Sequence, residues 1–92
     1  MAESRRELIG TTAVKAVTWN SKRTSLLIFN NHATQILYFG FNALVSTTNG
    51  QPIRPYTGYA FSPETGDDPT LDYWLIADGA NTDARITEQW VR

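Results

Sequence analysis

The stretch 25–42, SLLIFNNHATQILYFGFN, decides how this chain folds, because it is apolar on both sides of a polar tetrapeptide. Set out as two strands, its side chains alternate between faces. Leu26 and Ile28 then oppose Leu27 and Phe29, while Ile36 and Tyr38 oppose Leu37, Phe39 and Phe41. Neither face is polar. Asn and its turn-forming neighbours tolerate left-handed geometry, so NHAT reads as a four-residue hairpin loop joining strands 24–30 and 35–41.

The chain around this stretch has the same character. TTAVKAVTW (11–19) is rich in Thr and Val and reads as a strand, and NSKR turns it. In ALVSTTNGQPI, Asn49-Gly50 predicts a type I′ hairpin, and Pro52 behind it predicts an edge or strand-start position. RPYTGYAFS reads as a turn followed by a strand over 59–62, and PETGDDPT as an open loop. LDYWLIA is a strand, DGANT a tight turn, and DARITEQWV a last strand with Ala84, Ile86, Glu88 and Trp90 on one face. About seven short strands at turn spacings of roughly eight to twelve residues predict an all-β fold, a small antiparallel β-sandwich or barrel.

Ninety-two residues make one domain. Residues 11–92 are assigned to the sandwich and residues 1–10, MAESRRELIG, to an N-terminal arm that lacks strand alternation. The arm is expected to dock Arg5 and Arg6 on an acidic patch of a neighbour, with Leu8 and Ile9 leading into the first strand. It has no apolar signal-peptide core, and no run in the chain is long and apolar enough for a spanning helix. The sequence contains no cysteine, so disulfides and thiolate metal sites are excluded, and a cytoplasmic origin is the simplest reading. Residues 1–54 hold six Lys/Arg against two Asp/Glu, and residues 55–92 hold two against seven. Interleaved strands would mix these charges, and the basic clusters are too few for direct binding to nucleic acid.

Residues for catalysis are scarce. His32 is the one histidine and sits in a predicted hairpin tip, where solvent weakens pKa tuning. No G-x-S-x-G elbow or Gly-rich phosphate loop occurs, and Glu64, Asp67 and Asp68 do not match a calcium-loop spacing. The expectation is a non-enzyme with no cofactor and no metal. Most aromatic residues fall in strands and are expected in the core. Arg54, Tyr56 and Tyr59 flank a turn and form the best local contact surface, with Trp74 as a further candidate for stacking on a surface glycan.

Taken together, the R-x-S-L-x-I-x-N-N type start at 23–31, the I-x-Y-x-G type strand, T-x-N-G-x-P-I, W-x-I-A, D-G-A and the D-x-R-I-x-E-x-W type close resemble a pattern of small bacteriophage virion proteins. The resemblance covers about residues 23–90 and is carried by strand and turn residues. The chain departs from the pattern at Pro55-Tyr56-Thr57-Gly58, where the usual P-x-G turn has one residue more. The resemblance implies a structural virion protein on the capsid surface, made in the host cytoplasm. Its role would be capsid decoration or cement, with the major capsid protein and copies of itself as partners. A tail or neck component and a carbohydrate-binding module are the alternatives. On this reading, the apolar residues Leu27, Phe29, Leu37, Phe39 and Phe41 face a partner, together with Arg5, Arg6, Arg54, Tyr56 and Tyr59.

Overall fold

The computed structural model describes residues 1–91, with Thr65 described by its backbone alone. Its strands are β1 (Ala2–Ile9), β2 (Val14–Val17), β3 (Arg23–Asn30), β4 (Leu37–Gly40), β5 (Gln51–Ile53), β6 (Gly58–Phe61), β7 (Tyr73–Ala77) and β8 (Thr82–Trp90), with one 3-10 turn at Pro63–Thr65. They form two antiparallel four-stranded sheets, ordered β1-β8-β3-β6 and β2-β7-β4-β5. The fold is a small all-β sandwich.

Alternation explains which side chains meet between the sheets. From the first sheet come Ile9, Leu26, Ile28, Phe61, Ala84 and Ile86, and from the second Val17, Leu37, Phe39, Ile53, Tyr73, Leu75 and Ala77. The aromatic members cluster, with Phe61 and Tyr73 ring centroids 4.4 Å apart and Phe39 and Phe61 5.0 Å apart. Of the seven connections between strands, only β4 to β5 stays within a sheet.

That crossing pattern corrects the reading of 25–42. β3 and β4 are not a hairpin: they lie in opposite sheets, so Leu26 and Ile28 face Leu37 and Phe39 across the core. Each strand's inner face is covered by the other sheet. Leu37 and Phe39, expected to face a partner, are buried. Leu27 and Phe29 do point outward, beside Ala60 and Gly58 of β6 on one side and Thr87 and Arg85 of β8 on the other.

Residues 2–9 are strand β1 rather than an arm, paired with β8 from Ala2↔Gln89 to Ile9↔Thr82. The charged alternation Glu3, Arg5, Glu7 places one set of side chains toward the interior, where Arg5 finds a buried acid. Nor is Asn49-Gly50 a type I′ turn, because neither residue has positive φ. Loop 41–50 joins β4 to β5, and Gly50 serves a close approach: a Cβ there would lie 2.7 Å from Tyr38 Cβ.

Left-handed backbone occurs instead at Asn81, in the DGANT turn, and at Tyr56, with φ of 57° and 55°. For a bulky residue this geometry costs about 1–2 kcal/mol. Tyr56→Gly should therefore raise stability by up to about 1 kcal/mol in urea denaturation, after subtracting glycine's extra chain entropy. Deleting residues 2–7 should lower the melting temperature sharply, because it removes the β1–β8 ladder; an unchanged melting temperature would restore the arm reading.

Candidate binding end of the sandwich

The strand registers bring loops 18–22, 41–50 and 62–72 together at one end of the sandwich and loops 10–13, 31–36, 54–57 and 78–81 at the other. Two hollows open at the first end. One, of about 470 Å³, has Phe39, Tyr59 and Phe61 on its walls, Asn42, Asn49, Gln51 and Asp67 among its polar groups, and Phe41 and Leu44 at its lip. Phe41 is 60% and Leu44 80% exposed. The lip is held by its own loop: Asn49 Nδ2 donates to Leu44 O at 3.1 Å, Asn49 Oδ1 accepts from Ser46 N at 2.7 Å, and Asn42 Oδ1 accepts from Leu44 N at 2.9 Å.

The second hollow, of about 520 Å³, lies against the β2–β3 loop and the end of β8. Its floor is an ion network. Glu88, 8% exposed, points inward from β8 and accepts from Arg23 Nε at 2.7 Å and from Arg5 Nη1. Arg23, 3% exposed, spends its other donors on Pro69 O at 2.8 Å, Leu71 O at 3.3 Å and Thr18 O. Arg5 crosses the gap between sheets to Ala16 O at 2.6 Å. Above this floor stand Trp19, 59% exposed, and the half-buried Trp90.

Between the hollows, loop 62–72 is fastened by Tyr73, whose Oη donates to Asp68 O at 2.5 Å. Burial, with the nearby Asp67 and Asp68 carboxylates, pushes the Tyr73 phenol up to about 12. The acidic loop holds itself locally: the exposed Asp68 Oδ1 accepts from Thr70 Oγ1 at 2.6 Å and Thr70 N at 2.9 Å, which lowers its pKa. No group of three or more metal-ligating side chains occurs among the described residues.

The expected contact residues scatter over the fold. Arg54 and Tyr56 are exposed on the β5–β6 turn, at the end away from both hollows, and Tyr56 is 61% exposed. Tyr59 turns inward, 4.9 Å from Phe39 between ring centroids, and reaches the first hollow. Trp74 is half-buried, on the second sheet, with Lys15 Nζ 5.9 Å from its ring centroid. Arg54, Tyr56, Tyr59 and Trp74 therefore do not form one surface. Arg5 is inside, while Arg6 is outside with its Nε 3.9 Å from Asp83. His32 Nδ1 accepts from Gln35 N at 2.9 Å and Thr34 N at 3.1 Å, a structural use of the ring.

Sequence reasoning missed Trp19 and the Arg23–Glu88 pair. The signals were a tryptophan abutting the polar turn NSKR and a glutamate in register with Ala84 and Ile86 on an apolar face. The fold and this end define a compact β-sandwich with aromatic-lined hollows between its loops. No protein-family model, curated protein or solved structure matches the chain.

Removing Glu88 leaves the buried Arg23 guanidinium without a counter-charge and takes one carboxylate from Arg5, so Glu88→Ala should destabilise by about 3–5 kcal/mol. Replacing the network together, as Arg5→Met, Arg23→Met and Glu88→Leu, should recover most of that loss in the same chemical denaturation assay. Tyr73 gives a pH test. Its folded value near 12 exceeds the ordinary 10, so the unfolded chain ionises first and stability falls as pH rises from 10 to 12. Tyr73→Phe should flatten that part of the stability profile.

Proposed function

We propose that the protein is a structural virion protein, a capsid decoration or cement subunit that links major capsid proteins and copies of itself at the particle surface. The observation that carries this reading is the pairing of two exposed contact patches at opposite ends of a rigid sandwich measuring 36 × 23 × 20 Å. At one end Phe41 and Leu44 overhang an aromatic hollow. At the other, Tyr56 is held at positive φ with its ring in solvent. A protein that bridges neighbours needs two such patches, and repetition by symmetry turns modest contacts into firm attachment. Leu27 and Phe29, with Arg6 and Arg85 in the adjoining strands, supply a third, mixed surface suited to a second copy.

The test is co-sedimentation with purified particles. Wild-type protein should sediment in fixed proportion to the major capsid protein. Phe41→Ser with Leu44→Ser should fold normally, since both side chains are exposed, yet weaken attachment by at least about tenfold, because each buried apolar side chain contributes about 1.5–3 kcal/mol. Unchanged attachment of the double variant would sink the docking surface, and absence of the protein from particles would sink the reading. Recovery in a separated tail fraction alone would place it in the tail or neck.

A further inference from the structure

We infer that the hollow between Trp19 and Trp90 is a binding site for a neutral sugar ring. The inference is independent of the docking role of Phe41 and Leu44, which belong to the other hollow.

Trp19 is the starting point. It follows β2 in the chain, its backbone N–H is fixed by Asp72 Oδ1 at 2.6 Å, and its indole remains 59% exposed. The core does not need it. A backbone held on both sides, by this bond and by Asn20 N donating to Thr70 O at 2.9 Å, keeps an exposed ring in a defined place. Trp90, at the end of β8, lines the same hollow. Aromatic faces in a cleft accept the C–H face of a pyranose, and the remaining wall is suited to its hydroxyls: Glu3, Asn20, Ser21 and Lys22 offer donors and acceptors.

The floor decides the charge of the ligand. Arg5 and Arg23 would make the hollow an anion site if they were available, but both guanidinium groups are engaged. Arg23 is divided among Glu88 and three carbonyl oxygens, and Arg5 among Glu88, Ala16 O and the carboxylates of Glu3 and Glu7, at 3.7 and 3.4 Å. Glu88 in turn is shared by both arginines. Lys22 is left as the lining cation without an ion pair among the described residues, against a Glu3 that is itself exposed. A phosphate or sulfate finds no free guanidinium pair here, whereas a neutral polyhydroxyl ring meets a stacking face, a rigid floor and a hydrogen-bonding rim. Because that network is ordered before any ligand arrives, little of the site must be frozen on binding.

The full chain should be titrated with maltopentaose, cellopentaose, chitopentaose and mannopentaose while tryptophan fluorescence is followed, with inorganic phosphate as the anionic probe. At least one neutral oligosaccharide should give a saturable change. Trp19→Ala should weaken it by about tenfold or more, the effect of losing one stacking ring, and should leave the melting temperature unchanged. Trp74→Phe, on the other sheet, should leave the affinity unaltered. The inference fails if none of the four sugars gives a saturable response, if Trp19→Ala binds as tightly as wild type, or if phosphate binds in the hollow more tightly than every sugar.

Discussion

The interior position of Glu88 constrains the rest of the end where the two hollows open. Strand alternation sends its carboxylate inward in register with Ile86 and Ala84, where it cannot keep its water. An unpaired carboxylate there would be strongly destabilising, so it requires cations, and β3 and β1 on either side of β8 supply Arg23 and Arg5. The requirement then spreads. Arg23 is buried too, and its remaining donors draw Thr18 O from one loop and Pro69 O and Leu71 O from another. One carboxylate thus helps to set where two loops run, beside the bonds from Tyr73 and Asp72 that also hold them. Such a network adds little to stability compared with apolar packing, yet its directional bonds admit one arrangement.

The other end is closed by a neutral counterpart. Asn30, fully buried, donates from Nδ2 to Gln35 O at 2.8 Å and Ile53 O at 2.9 Å and accepts His32 N at Oδ1 at 3.0 Å. Its backbone also exchanges hydrogen bonds with Tyr56 and Thr57. A short amide thus ties loop 31–36 to the end of β5 at close range. The aromatic half of the core lies toward the end with the hollows, where Phe39 and Phe61 line the first of them.

The fold class was legible because period-two alternation and turn residues are local properties, and 59–62, 73–77 and 82–90 carry them plainly. Strand pairing was not legible. A polar tetrapeptide between two apolar runs is compatible with a hairpin within a sheet and with a crossover between sheets, and only the partners of β3 and β4 decide between them. For residues 2–9, charge concealed a strand: Glu3, Arg5 and Glu7 alternate with Ser4 and Arg6, so no hydrophobic period was visible, and the inward cation makes sense only once Glu88 is beside it. The candidate site was split for the same reason. Tyr56 and Tyr59 are three positions apart, yet one faces solvent and the other the core, whereas Trp19 and Trp90 come to line one hollow only through the fold.

Loop length separates the two ends further. At the Asn30 end the connections 10–13, 54–57 and 78–81 are four residues each and 31–36 is six; at the open end 18–22 has five, but 41–50 has ten and 62–72 has eleven. Short crossovers are sufficient to join sheets about 10 Å apart, so the extra residues at the open end are not demanded by connectivity. They are also not left loose. Asn49 braces the Leu44 lip, Tyr73 and Arg23 pin loop 62–72, and Asp72 fixes the backbone of Trp19. Loops tied down by polar groups while Trp19, Phe41 and Leu44 remain in solvent leave little ordering entropy to be lost, which is what the two proposed binding surfaces require.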